Sequence, residues 1–108
     1  MNPSDLKTAI ERRHGGVASL VQTVPVRAHL MGTVRWQGVV YIFALANNRK
    51  ARRAYAWPAS PVAAPDGRIF TALHIGPIDS PTGAVCAALA DAVREDRYAE
   101  LQRARQAG

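Results

Sequence analysis

The chain has 108 residues, a net charge of +6 and an isoelectric point near 10.5. That length fits one domain spanning residues 1–108, because a second core would have too few side chains to bury. Cys86 is the only cysteine, which excludes an intramolecular disulfide and a CxxC metal or redox motif. The longest apolar run, Val39–Ala46, is far below the ~20 residues of a membrane span, and the N-terminus lacks the apolar stretch of a signal peptide. The expectation is a soluble cytoplasmic protein with no membrane partner and no cofactor.

The first element predicted is a helix. Asn2 is placed as N-cap, Pro3 at the first helical position, and Asp5 in the first turn, where its charge complements the helix dipole. Leu6, Ala9 and Ile10 make an apolar stripe, and Gly15-Gly16 supplies a left-handed stop after Arg12, Arg13 and His14. Val17–Leu30 is strand-like, and Pro25, which cannot donate to a ladder, argues for an edge position or a bulge. Met31-Gly32 is a hairpin turn. Thr33–Leu45 follows as a long strand, alternating at first and then almost continuously apolar, with Gly38 as a candidate bulge where the pattern changes. Asn47-Asn48 marks a turn, since Asn tolerates left-handed dihedrals. A strand over Arg52–Ala59, a loop over Ser60–Gly67 and a strand over Arg68–Ile75 make a second hairpin. Ser80 and Pro81 open a last helix with Val85, Leu89, Ala92 and Val93 on one face, and residues 95–108 are expected as its solvated or frayed end.

The fold class is therefore α+β: an antiparallel four-stranded meander with the N- and C-terminal helices packed on one face, in the order α-β-β-β-β-α. The other sheet face is expected to be partly covered too, with a second copy of the chain as a candidate cover.

The charge is unevenly distributed. Between Glu11 and Asp66 there is no acidic residue, whereas Arg12, Arg13, Arg27, Arg35, Arg49, Lys50, Arg52 and Arg53 all lie in that span. A localised positive field of this kind attracts nucleic acid, another polyanion or an acidic protein surface. The densest part is Arg49, Lys50, Arg52 and Arg53, with Arg35 and Arg68 as candidate neighbours. Two aromatics, Tyr55 and Trp57, follow directly. If exposed beside the cluster they would stack bases as in single-strand binding. If buried they are core anchors, with Ala54 and Ala56 facing outward. The burial reading is favoured because an alanine-rich core lacks bulk elsewhere.

Catalytic signatures are absent: there is no GxSxG, no phosphate-binding Gly-rich loop ending in Lys-Ser or Lys-Thr, no HExxH and no dinucleotide fingerprint. His14, His29 and His74 fall on different elements with no carboxylate at helical spacing, so no metal site is expected. Cys86, among Val85, Ala87 and Ala88, is expected as a small buried residue, and Ser80 as a structural cap whose neighbour Asp79 would repel phosphate.

Val24-Pro25-Val26, Trp36-Gln37-Gly38-Val39-Val40, Phe43, Leu45, Lys50-Ala51, Arg53-Ala54-Tyr55-Ala56-Trp57, Ser80-Pro81 and Ala84-Val85 together span most of the chain. In this pattern the sequence resembles a group of small bacterial proteins without assigned activity, which implies a distinct domain and no mechanism. Members of that group carry a Gly-His-Pro-like turn where this chain has Asn47-Asn48-Arg49, so a site built on that histidine would be missing here. The helix–strands–helix order is also similar to double-stranded-RNA-binding domains, whose basic last-helix start is absent from Ser80–Asp91. The functional expectation is a non-enzymatic module binding nucleic acid or another polyanion through the Arg/Lys turn. The alternative is a protein-interaction or homodimerisation module, followed by a small RelE-like ribonuclease using Arg53, Tyr55 or His74.

Overall fold

Helix α1 (Pro3–His14) begins in the computed structural model where Asn2 turns the chain: the Asn2 side chain accepts a hydrogen bond from the Ser4 amide at 2.7 Å. Such a cap contributes roughly 0.5–2 kcal/mol over alanine. The helix ends at Gly15, whose φ of 84° lets its amide close on the Glu11 carbonyl. The structure describes residues 2–58 and 68–91. The expected loop Ser60–Gly67 and helix end 95–108 lie outside that set.

Strands β1 (Val17–Leu30), β2 (Thr33–Ala46), β3 (Arg53–Pro58) and β4 (Ile69–Leu73) form one antiparallel sheet in the order β1-β2-β3-β4. Met31 and Gly32 both adopt positive φ, as a two-residue hairpin whose twist matches its strands requires. Pro25 lies in the edge strand β1, where its missing N–H costs no ladder bond. A last helix, α2, covers residues 81–91 of the described set, and the Ser80 hydroxyl accepts from the Gly83 amide at 3.0 Å as its cap. The α+β class, the element order and the meander all agree with the sequence reading.

The helices, however, do not share a face. Side chains of β2 and β3 alternate across the sheet, and each side is covered by a different helix. Leu6 and Ile10 of α1 pack with Ala18, Phe43, Leu45, Ala54 and Ala56. Ala84 and Val85 of α2 pack on the opposite side with Val40, Ile42, Tyr55 and Trp57, joined by Val26, Ala28 and Trp36. The cover of the second face is thus the chain's own second helix. Helices sharing one face would require Ala54 and Ala56 to point outward. They are instead fully buried, and their small side chains let α1 approach the sheet closely.

The bulge expected at Gly38 is also displaced. Gly38 pairs regularly with Val26, while the register shifts at Val21 in β1 and at Arg35 in β2. Each skipped residue twists the ribbon locally. Trp57 is the largest fully buried side chain, stacked on Phe70 with ring centroids 6.0 Å apart, and Trp36 donates its indole N–H to the Pro58 carbonyl at 3.0 Å. No helix among the described residues is long and apolar enough to cross a membrane.

Candidate anion-binding turn

The connection between β2 and β3 is built around Asn48. Asn47 takes a left-handed φ of 59°, which turns the chain out of β2. The Asn48 carboxamide then works in two directions. Its Oδ1 accepts from the Lys50 and Ala51 amides at 2.8 and 3.1 Å, and its Nδ2 donates to the carbonyls of His14 and Gly15 at 3.0 and 3.2 Å. The carbonyls left open at the C-terminus of α1 are thereby satisfied by the turn. Leu45 N–H to Arg52 C=O at 2.8 Å leads the chain into β3.

Within this turn Ala51 is buried, whereas Arg49, Lys50, Arg52 and Arg53 are exposed around it. None of these four is ion-paired among the described residues. Because Asn48 ties the turn to the end of α1, the exposed Arg12 joins the same end of the molecule. Arg13 reaches further, donating to the Ile69 carbonyl at the outer edge of β4 at 2.5 Å.

His14 registers the electrostatics of this end. Its Nε2 lies 2.8 Å from the Thr71 hydroxyl. Burial holds its pKa below the ordinary value, and the positive charges of Arg13 and Lys50 push it the same way. The fold thus positions Lys50 close enough for its charge to be felt at the helix terminus.

Arg35 and Arg68 do not join the cluster. Arg35 sits at the register shift of β2, nine residues from Ala44, the partner of Arg53, which is roughly 30 Å at strand spacing. Arg68 leads into β4 at the end remote from Arg53, with its guanidinium carbon 5.6 Å from the Phe70 ring centroid, so its charge rests on the rim of the core.

Tyr55 and Trp57 are buried, in agreement with the favoured sequence reading. Tyr55 brings a polar contact the sequence did not reveal: its hydroxyl lies 2.5 Å from Nδ1 of His74. Burial raises the Tyr55 pKa, opposed by the positive charge of Arg53 and assisted by Asp79, so the hydroxyl keeps its proton at neutral pH. Nothing in the sequence separates this pair from two unrelated residues, since they stand 19 positions apart.

Cys86 is half-buried, its Sγ 4.0 Å from the His29 carbonyl. Among the described residues no three His, Cys, Asp or Glu side chains gather as a metal site. Compared with protein-family models, curated proteins and solved structures, the chain matches none.

Proposed function

We propose that this protein is a small non-enzymatic module that binds nucleic acid or a related polyanion through the turn carrying Arg49, Lys50, Arg52 and Arg53. The observation that carries the reading is the Asn48 latch. It fixes four exposed cationic side chains around a buried alanine and sets them against the α1 terminus bearing Arg12, with no carboxylate pairing them among the described residues. Cations held on a rigid frame lose less freedom on binding phosphate than the same residues on a free tail. The His14 pKa, lowered first by burial, is pushed the same way by Arg13 and Lys50, which is consistent with a positive potential at this end.

Fluorescence anisotropy with a labelled oligonucleotide tests the proposal. The wild-type chain is expected to bind, and the fourfold variant Arg49→Ala, Lys50→Ala, Arg52→Ala, Arg53→Ala to bind weakly while keeping its circular dichroism spectrum. Equal binding by the two proteins contradicts it.

A second reading, self-association or docking of an acidic protein surface, draws on the β1 edge. There Val17, Leu20 and Val21 are 49, 45 and 55% exposed on a strand with one free side. Sedimentation showing monomer alone at high protein concentration counts against self-association.

A further inference from the structure

Strand β2 is paired on both sides only over Tyr41–Ala44, where β3 joins it. The eight residues 33–40, with their β1 partners, continue as a two-stranded ribbon about 26 Å long at strand spacing. One ribbon face is backed by α2, with Val26, Ala28, Trp36 and Val40 buried beneath it. The opposite face is different. Pro25, Arg27, Gln37 and Val39 are exposed there and line a shallow open groove, and they belong to neither buried cluster of the described residues.

We propose that this bare ribbon face is a second contact surface and that its ligand is duplex DNA, which specifies the polyanion of the reading above and rests on it. Arg27 and Gln37 are cross-strand partners, so a guanidinium and a carboxamide stand side by side. These two groups make bidentate hydrogen bonds to the major-groove edges of guanine and adenine, and the flanking Pro25–Val39 pair offers apolar contact for a thymine methyl. Arg35, at the register shift, is the ribbon's further exposed cation, and no acidic residue lies anywhere from residue 12 to residue 65 to oppose a phosphate.

Shape selects among nucleic acids. Two strands about 4.8 Å apart, with one side backed by protein, fit the ~12 Å major groove of B-form DNA. The deep, narrow major groove of duplex RNA excludes them. The Arg27–Gln37 pair lies seven residues along β2 from Ala44, the partner of Arg53, which is roughly 23 Å. Arg53 itself alternates onto the α2 side with Tyr55 and Trp57, so the ribbon face is a contact surface separate from that side chain. A second chain seated on the same face is the competing occupant. A surface with Arg27, Arg35 and no carboxylate between them is poorly suited to a copy carrying the same charges.

The test compares binding of the full chain, at one fixed salt concentration, to a DNA duplex of about 16 base pairs, to duplex RNA of the same sequence and to the single DNA strand. Arg27→Ala with Gln37→Ala is expected to weaken duplex DNA binding roughly 10- to 100-fold and to leave the single strand and duplex RNA unchanged. The fourfold turn variant is expected to weaken all three. If the ribbon variant binds duplex DNA as the wild type does, the inference is overturned and the polyanion reading survives. A wild-type chain that binds none of the three overturns both. A ribbon variant that loses a self-association seen by sedimentation, with DNA affinity intact, assigns the face to a second copy and also overturns the inference. A conservative Arg27→Lys variant, which keeps the charge but loses the bidentate fork, should bind the duplex more weakly than wild type with no change in thermal midpoint.

Discussion

Asn48 donates its side-chain N–H to the carbonyl of His14 at 3.0 Å, across a sequence separation of 34 residues. One short polar side chain thereby closes the end of α1 and shapes the basic turn. Structure and the proposed binding surface depend on the same four hydrogen bonds.

Replacing Asn48 by Ala should therefore do two things. It leaves helix-end carbonyls and turn amides without their partner, which is expected to cost about 1–3 kcal/mol and to lower the thermal midpoint. It also frees Arg49 and Lys50 from their frame. Oligonucleotide affinity, measured well below the melting transition, should fall although no charge has been removed. Unchanged affinity would show that the latch does not organise the cations.

His14 gives a pH-dependent prediction. Its folded pKa lies below the ordinary 6.5 because of burial, reinforced by Arg13 and Lys50, so the unfolded chain binds more protons in the window just below that value. Stability should rise with pH through this window and level off above about 6.5. His14→Gln should flatten that part of the profile in chemical denaturation at several pH values. A bound polyanion neutralises the surrounding positive field, so an NMR titration of the His14 ring should show its pKa moving upward on adding oligonucleotide.

Gly16→Ala should be destabilising for a reason read directly from the backbone. Gly16 has a φ of 85°, and a Cβ built there meets the Ala46 carbonyl oxygen at 2.5 Å, with Asn48 Cβ at 3.2 Å. A left-handed conformation with a side chain costs about 1–3 kcal/mol before the contact with Ala46 is relieved. Differential scanning calorimetry should find a lower midpoint. Gly15→Ala, at a similar φ but with open space around it, should cost less.

Tyr55→Phe removes the hydroxyl that meets His74 Nδ1 and should lower stability by roughly 0.5–1.5 kcal/mol, with His74→Ala giving a loss of the same order. Neither change should alter oligonucleotide affinity, and wild-type protein should leave RNA intact on prolonged incubation. RNA cleavage abolished by His74→Ala would revive the ribonuclease alternative, since Arg53, Tyr55 and His74 do meet at one end of β3 and β4.

The parts of the fold that were legible in the sequence are those governed by local chemistry. Asn2-Pro3 and Ser80-Pro81 cap their helices, Gly15-Gly16 stops the first, and Met31-Gly32 turns the hairpin, because each depends on dihedrals and donors within a few residues. Which face Ala54 and Ala56 occupy was not legible. Alternation shows that they oppose Tyr55 and Trp57, but alanine is neutral as to burial, and only the arrival of α1 decides it. The bulge sites at Val21 and Arg35 carry no glycine or proline signal at all. For the site, the charge cluster and the turn were readable, and the Asx pattern of Asn48 with Lys50 is a local signal. Its bond to His14 and the Arg27–Gln37 pair are tertiary facts that sequence spacing does not encode.

The central claim is that Arg49, Lys50, Arg52 and Arg53 bind phosphate, and the salt dependence of oligonucleotide affinity tests it most directly. Each phosphate contact contributes a slope of about −0.9 in log affinity against log salt for a duplex, or about −0.7 for a single strand. Loss of the fourfold cluster should therefore reduce the wild-type slope by roughly 3–4 on duplex DNA, with the thermal midpoint of the variant close to that of the wild type. Parallel slopes for the two proteins, or a wild-type affinity indifferent to salt, would contradict the account.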